Sequence, residues 1–154
     1  MAGLYKQIRG DFYTAVSRSP AVYRGNPFVI EVGLAYGTGQ AAMTPGTLLD
    51  VEQAAPVAEG EDREPEVQLS RLLRFANRVP LLYQQGACAI TKAVIDTSWR
   101  NYGISQSRGA LPQGPLVILI HMASVWVPFT SESKEAIADY DEIRKEITLA
   151  LREC

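Results

Sequence analysis

Between positions 115 and 129 the chain is apolar except for His121 and Ser124. Such a run must be covered wherever it lies. It is too short to span a bilayer, which takes about 20 apolar residues in a helix. Over 116–127 both alternating faces are apolar, which predicts a strand at the centre of a sheet rather than at its edge. A central strand needs neighbours beside it and a layer packed against it.

The rest of the chain supplies both. Residues 12–18 place Phe12, Thr14 and Val16 at alternate positions and predict a first strand, ended by Ser19-Pro20. Arg24-Gly25-Asn26-Pro27 is dense turn chemistry, and the β-rich run 28–36 predicts a second strand, paired with or next to the first. Residues 68–75 read as a third strand, broken at Asn77-Arg78-Val79-Pro80. Residues 86–97 are mostly apolar all round and predict a buried helix. Residues 99–114 read as a loop with room for a short strand. Ile143, Ile147, Ala150, Leu151 and Cys154 fall on one helical face, and Asp139 with Glu142 has the spacing of a capping box. The order is β-β-β-α-β-α, an α+β sandwich whose mixed sheet carries its helices on one face. Residues 1–9 read as a short helix or a frayed lead-in.

Composition narrows the class. A chain of 154 residues, 47% hydrophobic and 21% charged, is expected to bury roughly 70% of its unfolded surface in one domain. Disordered, collagen-like and coiled-coil chains are excluded. Two cysteines, Cys88 and Cys154, cannot staple a fold of this size and are expected to be reduced in a cytosolic setting. No signal-peptide pattern is present, so no membrane partner is expected. The net charge of −2 conceals an asymmetry. Residues 50–66 carry seven acids and one base, whereas the remaining 137 residues carry ten acids and 14 bases. The acidic stretch lies within 38–66, a Gly-, Pro- and Ala-rich segment expected to be a flexible insertion.

Familiar catalytic patterns fail on context. Gly37-Thr38-Gly39-Gln40-Ala41-Ala42 matches the dinucleotide fingerprint, but Met43-Thr44-Pro45-Gly46 forbids the helix whose amides would meet a pyrophosphate. Ser131 and Lys134 match S-x-x-K without the partner motifs of serine acyl transfer. His121, the only histidine, reads as a core residue, and no Cys/His spacing suggests a metal site.

Three segments remain. Residues 74–83 are basic, with Arg71, Arg74 and Arg78 clustered before the first helix. Trp99-Arg100-Asn101-Tyr102 sets two aromatics around a cation, a trio able to stack on bases and pair with phosphates; the plainer reading makes Trp99 a cap on the core. In 127–139 a hydroxyl-rich loop presents Lys134 between strand and helix, where an ammonium can meet a phosphate as a point charge or remain solvated.

Taken with 11–18, 23–28, 30–37 and 118–124, these segments resemble the transducer domain of topoisomerase VI B subunits, type IIB DNA topoisomerases of archaea and plants in the GHKL ATPase superfamily. The similarity covers nearly the whole chain outside the acidic insertion and a loop near 106–113. Arg74-Phe75-Ala76-Asn77 also resembles the corresponding segment of DNA gyrase B and MutL-type ATPases, and Pro128 to Lys134 resembles their Gln-Thr-Lys switch loop. The resemblance implies a ribosomal protein S5 domain 2-like fold. It implies that Lys134 is the switch lysine contacting the γ-phosphate of ATP held by a neighbouring ATPase domain. It implies DNA contact by Trp99, Arg100 and Tyr102, from a Trp-Lys-x-Tyr element in which Arg100 stands for the lysine. Asn77, Arg78, Ser131 and Ser133 would form the coupling loops. ATP and Mg2+ would be bound by the ATPase domain, which the 154 residues are expected to lack along with a C-terminal helix extension, so the isolated segment is expected to be inactive. The implied partners are that ATPase domain, the topoisomerase VI A subunit in an A2B2 heterotetramer, and double-stranded DNA. The implied compartment is archaeal cytoplasm, or the nucleus for a plant member. The alternative is a free-standing S5-like module that binds nucleic acid or protein without an ATPase.

Overall fold

A computed structural model describes residues 10–37 and 69–154. The lead-in at 1–9 and the acidic segment at 38–66 lie outside the described residues. Six strands form one mixed sheet: β1 (Phe12–Ser17), β2 (Ala21–Tyr23), β3 (Asn26–Tyr36), β4 (Arg71–Ala76), β5 (Val79–Pro80) and β6 (Leu116–Ser124). Two helices, α1 (Ala89–Asp96) and α2 (Asp141–Glu153), complete the described fold. The sheet order is β1-β3-β6-β4-β5, with β2 also on β3.

The apolar run sits at the centre, as its two-sided pattern predicts. β6 pairs antiparallel with β3, matching Phe28 to Ser124 through Tyr36 to Leu116, and parallel with β4, matching Arg71 to Val117 through Ala76 to Met122. Leu116, Ile118, Ile120 and Met122 join Phe28, Ile30 and Val32 in one buried layer. Ala89, Ile90, Ala93 and Val94 of α1 and Ile143, Ile147, Ala150 and Leu151 of α2 close over it, so both helices cover one face. Fully burying each Val, Leu, Ile, Phe or Met side chain among these contributes about 1.5–3 kcal/mol. The reading of α+β with helices on one face is therefore correct.

The element order differs by two short strands. β1 runs along β3 until Ser19-Pro20 interrupts it, and β2 resumes on the same edge, pairing Ala21 with Phe28. Arg24 and Gly25 both have positive φ, the pattern of a type I′ hairpin turn. β5 follows β4 through a second such turn at Asn77 and Arg78, also both at positive φ.

Several boundaries also move by a few residues, three of them with a visible partner. The strand expected over 116–127 ends at Ser124, because its hydroxyl accepts the Trp126 amide at 3.2 Å and turns the chain. Val125 and Trp126 are consequently exposed. The helix expected from Gly86 begins at Ala89: residues Gln85–Ala87 form a 3₁₀ turn, Cys88 is extended, and the Ala89 amide donates to the Ile137 carbonyl at 2.9 Å. Finally, the capping box does not form. α2 starts one residue later than the box requires, with Tyr140 as its N-cap making no side-chain cap, and the Asp139 carboxylate is engaged instead by Lys92 and Arg144.

Arg18 joins the end of β1 to α2 through Glu146 at 2.9 Å and Glu153 at 2.8 Å, bonds that raise the guanidinium's already high pKa. At Gly37 the chain passes so close to Gly10 and Asp11 that a Cβ would lie 2.8 Å from their backbone atoms. That close approach explains the first glycine of the rejected dinucleotide pattern; the remaining positions of that pattern lie outside the described residues.

Candidate functional site

Past Trp126 the chain forms a narrow loop. Phe129 bridges Ile137, the Thr130 amide donates to Ala136 at 2.9 Å, and the Ala138 amide donates to Pro128. Ala136 and Ile137 are fully buried, so the returning limb is anchored in the core. The tip is different. Ser131, Glu132, Ser133 and Lys134 are all exposed. The Ser131 and Ser133 hydroxyls bond to each other at 2.6 Å, and the Lys134 amide donates to the Ser131 carbonyl at 3.2 Å. Lys134 has φ of 55°, a conformation uncommon outside glycine. Among the described residues its ammonium has no ion-pair or hydrogen-bond partner. The loop therefore projects a free cation from a fixed base. S-x-x-K chemistry gains no support, since the hydroxyls are paired with each other.

The β4–β5 turn, with Asn77 and Arg78, lies beside the end of β6 from which this loop departs. The Asn77 side chain grips Ser124 from both sides: Nδ2 donates to its carbonyl at 2.8 Å, and Oδ1 accepts its amide at 2.9 Å. The Arg78 amide donates to His121 Nε2 at 3.1 Å, which leaves Nδ1 to carry the proton toward Glu31 Oε2 at 2.7 Å. His121 is thus half-buried on the sheet face away from the helices, opposite Glu31 in register, rather than in the helix-covered core. Alternation puts it on the face opposite Ile120 and Met122, but because both faces of the strand are apolar the pattern does not say which one the helices cover.

The basic cluster divides. Arg71 and Arg78 are exposed, but Arg74 is 4% exposed and spends Nη2 on the carbonyls of Leu81 and Tyr83, both at 2.9 Å. It holds the loop leading to α1 and presents no surface charge.

The aromatic trio divides likewise. Residues Trp99–Tyr102 form a 3₁₀ turn. Trp99 is 3% exposed and donates Nε1 to the Val94 carbonyl at 2.8 Å, so it caps the core and is not placed to touch a ligand. Arg100 and Tyr102 are exposed above it. The Arg100 guanidinium is steadied by the Gln106 carbonyl at 3.1 Å, and the Tyr102 ring packs 6.5 Å from the Trp99 ring. The surface pair is Arg100 and Tyr102, with Trp99 as their anchor.

Neither cysteine is poised for chemistry. Both are free thiols; Cys88 is buried, and burial pushes the Cys154 thiol up, away from the reactive thiolate. Among the described residues no three His, Cys, Asp or Glu side chains group as metal ligands, and no helix is long and apolar enough to cross a membrane.

Sequence reasoning missed the joint where the Lys134 loop meets both helices. Asp139 Oδ2 accepts from Lys92 at 3.0 Å and from Arg144 at 3.3 Å, and Arg144 also pairs with Asp96.

Comparison with known proteins bears on the whole chain. The family model described as topoisomerase VI B subunit, transducer, matches residues 1–154. The B subunit of type 2 DNA topoisomerase 6 from Methanosarcina mazei is 48% identical over 151 residues, 98% of this chain and 20% of the relative. The proteins of the same name from Archaeoglobus fulgidus and Halobacterium salinarum are 47% and 49% identical over 150 residues, covering 97% of this chain and 21% and 16% of theirs. The chain thus spans about a fifth of the length of these relatives. A crystal structure of the DNA gyrase B subunit from Myxococcus xanthus is similar with 18% identity and a TM-score of 0.45, over 90% of this chain and 33% of that one.

Proposed function

The chain belongs to the family of topoisomerase VI B-subunit transducers, and we propose that it relays ATP binding and hydrolysis to DNA-gate opening in an ATP-dependent type IIB topoisomerase. The free, exposed cation of Lys134 at the tip of an anchored loop carries this reading. An ammonium with no internal partner is available to a phosphate as a point charge. ATP with Mg2+ would supply the energy of the cycle from an adjoining ATPase domain. The part of Lys134 is to sense the γ-phosphate, and that of Ser131 and Ser133 is to hold the tip in the shape that presents it. Asn77 and Arg78 tie the central strand to the β4–β5 turn beside the start of the loop, which favours movement of the domain as a unit.

Arg100 and Tyr102 form the proposed duplex contact, with the guanidinium on phosphate and the phenol ring beside it. The A-subunit partner, the A2B2 assembly and the archaeal cytoplasm belong to the same proposal. The deciding experiment replaces Lys134 by Ala in the full two-subunit enzyme. Nucleotide binding should persist while supercoil relaxation falls on the order of tenfold or more, as for loss of one charge-stabilising donor. Relaxation at the parental rate would sink the assignment.

A further inference from the structure

Asp139 stands where the Lys134 loop ends and α2 begins, and its carboxylate is shared between two helices. Lys92 on α1 and Arg144 on α2 both donate to the same oxygen, Oδ2. Arg144 then reaches Asp96, one turn beyond Lys92 on α1, so the chain of four alternating charges begins and ends on one helix. Backbone contacts reinforce it: the Ile137 carbonyl accepts the Ala89 amide at 2.9 Å, and the Ile137 amide lies 3.4 Å from Cys88 Sγ.

The four side chains are between 25% and 56% exposed. Pairs of that kind contribute only about 0–1 kcal/mol each, so stability alone gives little reason to gather them at one joint. Their geometry does something else. A loop hinged freely at residues 138–140 would absorb a displacement of its tip. A carboxylate held by two helices at once cannot follow the loop without carrying or breaking both contacts.

We propose that Asp139 is a positioning residue which, through Lys92 and Arg144, makes the Lys134 loop, α1 and α2 move as one body, so that displacement of Lys134 reaches α2. This rests on the reading of Lys134 as the phosphate sensor. The test uses the full two-subunit enzyme carrying Asp139→Asn, Lys92→Gln or Asp139→Glu, with Lys134→Ala as reference. ATP hydrolysis and strand passage are measured separately, alongside thermal unfolding. Asp139→Asn and Lys92→Gln should hydrolyse ATP within about twofold of the parent yet pass about fivefold fewer duplexes per ATP, and Asp139→Glu should recover most of the ratio. A merely structural role would lower both rates together and leave the ratio unmoved. If Asp139→Asn does not fold, Lys92→Gln decides. An impaired Lys134→Ala beside a parental ratio in the folded latch variants overturns the positioning role alone. A fully active Lys134→Ala overturns the sensor reading and this proposal with it.

Discussion

Single residues of the same type do different work here according to which face they occupy. Arg74 and Arg78 lie four apart, yet one is locked under a loop and the other is exposed. Trp99 and Tyr102 share a turn, yet only Tyr102 reaches solvent. Tyr23 offers a direct test of such placement. It packs 4.3 Å from the Tyr140 ring, with the Arg24 guanidinium over both rings. Burial first, and hydrogen bonding to Tyr140 second, push its phenol from 10.0 up to about 12, against the opposing pull of Arg24. The folded state therefore keeps a proton that the unfolded chain gives up near pH 10. The contribution is fully present below pH 10 and is lost as pH rises to about 12. Denaturant midpoints should fall across that window, and Tyr23→Phe should remove most of the slope.

At the scale of elements, alternation and helical period were sufficient to find the four main strands and both helices. They could not place the ends. β6 stops at Ser124 because a hydroxyl and an amide side chain capture the backbone there, and α1 starts at Ala89 because a distant carbonyl receives its first amide. The Asn77 clamp joins the β4–β5 turn to the end of β6 through one side chain. Asn77→Ala removes both of its bonds to Ser124 and takes away a residue type that tolerates positive φ. It should destabilise the domain by about 1–3 kcal/mol, read as a lower midpoint with unchanged m-value.

For the whole molecule, the charge asymmetry sets what the domain can approach. Outside residues 50–66 the chain has four more bases than acids. Arg100 is exposed and braced at its far end, an arrangement suited to one phosphate. Replacing it by Ala in the full-length protein should weaken duplex binding similarly for different sequences and flatten the log K against log salt slope by about 1. An unchanged slope would remove Arg100 from the interface. By itself the sequence determined the fold class, the central strand, the covered helical faces and the exposed loop lysine, because alternation, helical period and local turn chemistry are all written within short windows. Only the tertiary structure decided that Trp99 and Arg74 turn inward, that His121 faces away from the helices toward Glu31, and that Asp139 abandons its cap for Lys92 and Arg144. Glu31 and Lys92 lie far along the chain from His121 and Asp139, and Val94, Leu81 and Tyr83 reach Trp99 and Arg74 only because the intervening turns fold back; a polar group takes the partner that folding brings within hydrogen-bond reach rather than the one nearest in sequence.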